Sequence, residues 1–487
     1  MPKTALRLAT ALLVSALGVP AAYAAEISVK NATELGAALT AAKAGDTVVL
    51  EDGVYNATGF ACAQSGTAAM PITVKARNPL GATVRMDALE GFKVSGAYWH
   101  FEDFVVQGVC AVDSSCEHAF HVFGAADGFL LRRMQLRDFN AQLKVNSSQD
   151  GSGKWLTPNR GLIEGNELFD SRARNTSNPT TKLNIDTGDD WIVRANYLHD
   201  FQKGGGDGIS YGAFMKSGGK RGLYERNLVI CSRLHSGGTR IGLSFGGGGT
   251  APQFCAPAFS AAVPCDVEHD SGILRNNVIV NCSDVGIYLN RGKNTHVLYN
   301  TLIATSGVDF RFATTSGEAR GNALTGTVRL RDGATGTFAN NIENIAQATF
   351  TSYYQAPLLG DLRKKGDLSA LIGAGPLHNE VPDDYCARTR SAPYDVGALQ
   401  HSLGDCDTTR PPLPMGGGPG PTPDGGTGSS GDGGTGGSGD GGDPSPAQET
   451  GCSCTLGRAA TPTNGAPGLA LLGLGAVAFL LRRRARG

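Results

Sequence analysis

Apolar and polar residues alternate in short stretches that recur along most of the chain. Many of these stretches open on an asparagine. Examples are Asn166-Glu167-Leu168-Phe169, Asn196-Tyr197-Leu198, Asn227-Leu228-Val229-Ile230, Asn277-Val278-Ile279-Val280, Asn300-Thr301-Leu302-Ile303 and Asn322-Ala323-Leu324. The last steps are 23 and 22 residues long, earlier ones are 30 and 31, and one is 50, so loops interrupt the period. A second series keeps similar phase: Gly208-Ile209-Ser210-Tyr211, Gly242-Leu243-Ser244-Phe245, Gly286-Ile287-Tyr288-Leu289 and Val308-Asp309-Phe310-Arg311-Phe312. Short strands at a near-constant period predict stacked coils. Alternation turns one side of each strand inward. Every corner needs residues that tolerate left-handed backbone angles, chiefly Gly, Asn and Asp. Asparagines stacked at one corner are expected to form hydrogen-bond ladders.

The first coil has its own signature. Thr33 to Lys43 places Leu35, Leu39 and Ala42 at helical spacing, which predicts a small amphipathic helix. Ala44-Gly45-Asp46-Thr47-Val48-Val49-Leu50 and Asp52-Gly53-Val54-Tyr55 follow it. A solenoid needs such an end cap to close its core. With this helix and strand, residues 26 to 345 resemble right-handed parallel β-helix proteins, although Ala44 stands where those proteins usually carry proline. The expected fold is therefore all-β, a single-stranded right-handed parallel β-helix with an N-terminal helical cap.

Composition divides the chain further. Of 487 residues 69 are glycine, and 15 of these fall between Gly416 and Asp443. The rest of the chain is still glycine-rich, as corner-turning coils require. Four segments are expected: a signal peptide at 1–24, the β-helix domain at 25–405, a Gly/Pro/Ser-rich linker at 406–450 and a sorting tail at 451–487. The first has Lys3 and Arg7, the apolar stretch Leu8 to Val19, and Ala22-Tyr23-Ala24 as a cleavage site. The last joins Cys452-Ser453-Cys454, an apolar run from Gly468 to Leu481 and an arginine cluster from Arg482. This tripartite end resembles the myxobacterial C-terminal sorting signal, and the resemblance implies export, a membrane-associated tail and retention at the cell surface. A net charge of -1 argues against a nucleic-acid partner, and a monomer is expected. Nine of the eleven cysteines precede the tail, and export favours disulfides. Close spacing suggests Cys110–Cys116, Cys255–Cys265 and Cys386–Cys406, with connectivity open and one thiol left over. Residues 346 to 405 are expected to form a C-terminal cap.

Candidate chemistry concentrates between Leu183 and Gly249. Here lie Asn184-Ile185-Asp186, Asp189-Asp190, Gly206-Asp207-Gly208, Lys216-Ser217 and Arg240. Lys216-Ser217, followed by Arg240 about one coil further on, resembles the Lys-Ser and arginine of polysaccharide lyase family six, the chondroitinase B and alginate lyase group. That resemblance implies an acidic polysaccharide as partner, Lys216 as base and Arg240 as the group that orients or neutralises substrate. Ile209 and Tyr211 stand where that family commonly carries two calcium-binding glutamates, and the histidine that usually flanks its arginine is missing. Asn184, Asp186 and, about one coil further on, Asp207 are the remaining oxygen donors expected to hold Ca2+. The chemistry fits β-elimination: a uronate carboxylate must be neutralised before the adjacent proton can be removed. A lysine removes it only if neighbours or burial make its own proton easier to lose. Two other readings stand beside the lyase. One is a non-catalytic surface solenoid that binds polysaccharide or another cell. The other is a polygalacturonase-like hydrolase with paired aspartates as acid and base: Asn184-Ile185-Asp186, Asp189-Asp190 and Gly206-Asp207-Gly208 resemble its Asn-Thr-Asp, Asp-Asp and Gly-His-Gly elements, with Asp207 in place of the histidine. His199-Asp200 is a lesser candidate base, and the other histidines form no pattern.

Overall fold

The computed structural model describes residues 24–247 and 249–410. The signal peptide, most of the linker and the sorting tail, with Cys452 and Cys454, lie outside the described residues. The fold is the expected right-handed parallel β-helix, and three long parallel sheets form its sides. One, of twelve strands, runs from Glu26–Val29 to Thr337–Ala339. A flank sheet of ten strands runs from Gly53–Ala57 to Ala323–Leu324. The third, also of ten, carries the site. Its strands are β1 (Phe60–Cys62), β2 (Glu90–Val94), β3 (His118–Phe123), β4 (Ala141–Asn146), β5 (Thr180–Asp186), β6 (Ile209–Lys216), β7 (Thr239–Phe245), β8 (Ile287–Asn290), β9 (Gly307–Arg311) and β10 (Thr327–Arg331).

The helix α1 spans Ala32–Ala41 and begins with a capping box. The Asn31 side chain accepts from the Glu34 N–H at 3.0 Å, and the Glu34 carboxylate accepts from the Lys30 N–H at 2.8 Å. Its buried residues Leu35, Ala38 and Leu39 close the core at the first coil, beside Val48, Leu50 and Phe60. Along the inside, register stacks like on like. Phe60, Phe92 and Phe120 occupy successive coils with ring centroids 5.2 and 4.9 Å apart. That is about the spacing of paired strands.

The asparagine ladder forms as expected and extends one coil further, to Asn341. It marks the corner between the twelve-stranded sheet and the flank sheet. Each amide donates to the next asparagine's Oδ1, from Asn166 through Asn196, Asn227, Asn277, Asn300 and Asn322 to Asn341, at 2.8–3.1 Å. The same Oδ1 accepts the backbone N–H of the preceding ladder residue, at 2.8–3.1 Å. The second amide hydrogen goes back to a carbonyl of the coil below, such as Tyr224 O from Asn277 at 3.0 Å. The residue before each asparagine takes the left-handed turn, including Ala195 at φ 53°, Arg226 at 53° and Tyr299 at 55°.

Residues 345 to 399 correct the expected end cap. They lie along the outside of the flank sheet instead: Phe350, Tyr354, Leu362, Leu371, Tyr385 and Val396 cluster with Leu228, Ile230, Val278, Val280 and Ile303. This explains why those strands are apolar throughout rather than alternating, since both their faces are buried. The three suggested disulfides are present, and Cys231–Cys282 is a fourth. Cys62 is the odd thiol, buried in the core, and burial pushes its proton affinity up. Among the described residues, no helix is long and apolar enough to cross a membrane.

The ladder predicts a steep local cost. Asn277→Ala leaves the Asn227 backbone N–H and side-chain amide without their acceptor. At about 1–3 kcal/mol for each orphaned buried donor, the loss is expected to reach about 3 kcal/mol. Denaturant unfolding checks it, and a loss below about 1 kcal/mol would mean that water replaces the amide.

Candidate functional site

On the third sheet, side chains that point away from the core fall into columns, because the strands pair in parallel without slipping. One column places Lys144 of β4 beside Asn184 of β5 and Phe214 of β6. The next places Asn146 beside Asp186 and Lys216. Lys144 donates to Asn184 Oδ1 at 3.1 Å and makes a tighter contact with the Asp186 carboxylate. Lys216 Nζ stands 3.3 Å from the other Asp186 oxygen and 4.9 Å from the centre of the Phe214 ring. Two ammonium groups thus share one carboxylate. Burial pushes the Asp186 carboxyl up, but the charges of Lys144 and Lys216 outweigh it and hold the group below its usual range.

Backbone geometry fixes Lys216 in place. Ser217 turns the corner after it in the left-handed region at φ 61°, and the Ser217 hydroxyl meets that of Thr250 at 3.0 Å. After β7, Gly246 turns in the left-handed region at φ 78°, and Gly247 lies against the lysine stem. A Cβ at Gly247 would lie 3.2 Å from Lys216 Cδ, and the Gly247 N–H donates to Glu268 at 3.1 Å. Two loops rise at the same edge of the sheet. Trp155, from the hairpin after β4, stacks on Phe259 at 4.6 Å and meets Phe254 edge-on at 6.2 Å. The Cys255–Cys265 disulfide ties the second loop. The second loop reaches the Lys216 corner, where the Ala256 N–H donates to Ser217 O at 2.9 Å.

Several expected residues do not join this group. Arg240 pairs in register with Ser210, at the opposite end of β6 from Lys216. The length of the strand separates the two positions, about 20 Å. Arg240 is also buried, and burial pushes its guanidinium down to about 10. It donates to Cys231 O at 2.5 Å, Ser232 Oγ at 2.9 Å, His235 O at 2.9 Å and Gly237 O at 3.0 Å. These bonds hold the loop between β6 and β7 and leave no donor for a substrate beside Lys216. Asp207 sits in the turn before β6, where it accepts from the Ile209 N–H at 2.9 Å and pairs with Lys203. It does not meet Asn184 or Asp186, and those two are already engaged by Lys144. The three oxygens therefore do not fit a Ca2+ ion, which needs converging donors and is repelled by ammonium groups.

Asp189 and Asp190 pair with Arg221 at 3.1 and 2.7 Å, so the acids of the hydrolase reading do not assemble either. His199 is buried, stacked on Phe169 at 4.7 Å and bonded to Asp200 at 2.7 Å, which is a structural setting. The residues missed in sequence are Lys144 and a cluster of Glu90, His118 and His121 on the same outer face. The step from Lys144 to Asn184 is long because the Trp155 hairpin lengthens that coil.

The sequence profile of the family Chondroitinase B matches residues 29–116, the helical cap and first coils. Pectate lyase Pel9A is similar over 77% of this chain and 96% of its own, with 14% identity and a TM-score of 0.42. The family six polysaccharide lyase Pedsa3628 from Pseudopedobacter saltans is similar over 78% and 98%, with 13% identity and a TM-score of 0.37. An alginate lyase from Paenibacillus sp. is similar over 64% and 97%, with 17% identity and a TM-score of 0.28. No curated protein sequence matches. Such identities assign no residue role here, so the roles below rest on geometry.

The burial of Arg240 gives a direct expectation. Arg240→Met strands at least five acceptors, Gln202 Oε1 among them, and should lower the unfolding midpoint, with a cost of about 3 kcal/mol or more. Any activity per folded molecule should survive. A full loss of activity at unchanged stability would return Arg240 to the site.

Proposed function

We propose that this chain is an exported, surface-anchored polysaccharide lyase that cleaves a uronate-containing polysaccharide, of alginate or chondroitin/dermatan type, by β-elimination. The observation that carries the reading is the pair of lysines on one carboxylate on the outer face of the third sheet. With Asp186 ionised, Lys144, Lys216 and Asp186 sum to one positive charge, and repulsion between the ammonium groups eases the loss of one proton. Lys144 makes the tighter contact with Asp186, so Lys216 is the one to release it. Neutral Lys216 then takes the proton beside the uronate carboxylate, while the charge of Lys144 offsets the carboxylate. The C–H electron pair forms the new double bond, the glycosidic C–O bond breaks, and the leaving oxygen takes up a proton from solvent. The aromatic wall of Trp155 and Phe259 offers flat apolar area to sugar rings. Export and surface retention rest on the basic-apolar start and the Cys452 to Arg486 tail, and fractionation of cells probed for this chain tests them.

One observation favours the non-catalytic alternative: Arg240 does not stand beside Lys216, and Asn184, Asp186 and Asp207 do not converge there. Incubation with alginate, chondroitin or dermatan sulfate, and polygalacturonate separates the readings. A rise in ultraviolet absorbance from an unsaturated uronate supports the lyase, and Lys216→Ala should abolish it. Binding without product supports the surface solenoid. Reducing ends without that absorbance support a hydrolase.

The charge arrangement also sets opposite pH responses. Asp186→Asn removes the anion that stabilises ammonium, so the acid limb of the lyase rate should move to lower pH. Lys144→Ala removes the repelling cation, so that limb should move to higher pH. Shifts of the same sign in both variants would exclude the shared-carboxylate mechanism.

A further inference from the structure

Away from Lys216, Glu90 of β2 faces His118 and His121 of β3 on the outer side of the same sheet. Glu90 and His118 are register partners. Ala119 and Phe120 both turn inward, so His118 and His121 both turn out although they are not in alternating positions. His121 Nδ1 lies 2.8 Å from Glu90 Oε1, and His118 Nδ1 lies 3.7 Å from the same oxygen. One donor atom from each residue falls within 4.8 Å of the others. Both Nδ1 atoms are buried, neither makes a well-aligned hydrogen bond, and both face the Glu90 carboxylate.

The far side of His121 settles its tautomer. Asn146 donates its own amide to Ser147 O at 2.9 Å, which turns Asn146 Oδ1 toward His121 Nε2 at 2.7 Å. That oxygen can only accept, so Nε2 carries a hydrogen. With Nε2 donating to Asn146, Nδ1 is the nitrogen that His121 presents to Glu90. A histidine that binds a metal through one nitrogen usually has its other N–H held by an oxygen in this way. Donors bound at ~2.1 Å in a tetrahedron stand roughly 3.4 Å apart, and 2.8 and 3.7 Å bracket that value. The ammonium of Lys144, the register partner of His121, is turned to Asn184 and Asp186.

We propose that Glu90, His118 and His121 bind a divalent first-row transition metal of the zinc class. Two imidazoles and one carboxylate suit that class over Ca2+ or Mg2+, which prefer all-oxygen shells. Three protein donors would leave a fourth coordination position for water or a ligand. The site lies three coils from Phe214 and Lys216, about 14 Å, and its argument does not depend on the lyase reading. Among the described residues, His296, Glu318 and His378 form a second cluster of ligand type. There His378 bonds Glu318 at 2.9 Å and His296 bonds Glu380 at 2.5 Å, so the groups tie the flanking segment to the solenoid.

The test uses the full chain without an affinity tag, stripped by chelator and dialysed against Zn2+ or Co2+. One equivalent per chain, visible Co2+ bands of imidazole ligation and a rise in melting temperature with metal are expected. His118→Ala and His121→Ala should lose all three. Asn146→Leu should weaken binding about 10- to 100-fold, and His378→Ala should leave it unchanged. Equal metal-free melting temperatures for wild type and variants exclude misfolding, and Glu90→Gln serves where an alanine variant fails to fold. No bound metal in the wild type, or binding that survives loss of both histidines, overturns the proposal.

Discussion

The asparagine ladder is the constraint on which the rest of the molecule depends. Each Oδ1 accepts two hydrogens and each amide gives two, so no polar atom of the buried corner is left over. In a low-dielectric interior such a saturated chain of bonds is stiff, and a missing member is expensive. The ladder also holds residues such as Ala195 and Tyr299 in the left-handed region, where a side chain costs roughly 1–2 kcal/mol. One amide per coil therefore fixes the corner angle and the rise to the next coil together.

Once rise and corner are fixed, the outward columns of the neighbouring sheet follow. Lys144, Asn184, Phe214 and Tyr288 come from distant parts of the chain, yet they occupy one line because their strands stay in register. The catalytic proposal and the metal proposal use the same property at different heights of that face. Neither requires a loop to find its position by itself.

Coil architecture was legible in sequence because it repeats: the asparagines, the capping helix and three of four disulfides could be read from local pattern. Site pairings were harder, for a geometric reason. Asp186 pairs with Lys216, and Ser210 with Arg240, so each of these steps is one full coil. The step from Lys216 to Arg240 is shorter than that coil, and so is the step from Asp186 to Asp207. Arg240 and Asp207 therefore land elsewhere along the strand. Coil length varies with the loops, and the step from Lys144 to Asn184 is far longer than that from His121 to Lys144. A spacing becomes a contact only when it equals the local coil, and that length is visible only after the register is known. The Glu90, His118 and His121 cluster was missed for the same reason: the step from Glu90 to His118 matches neither series read from the sequence.

The variable loops have a different meaning for inheritance. A hairpin such as the one carrying Trp155 leaves the solenoid at one corner and returns to it, so its length enters neither the ladder nor the stacked core. Lengthening such a loop is entropically cheap. Descendants of this chain can therefore exchange the loops beside the third sheet while the part that must fold stays the same.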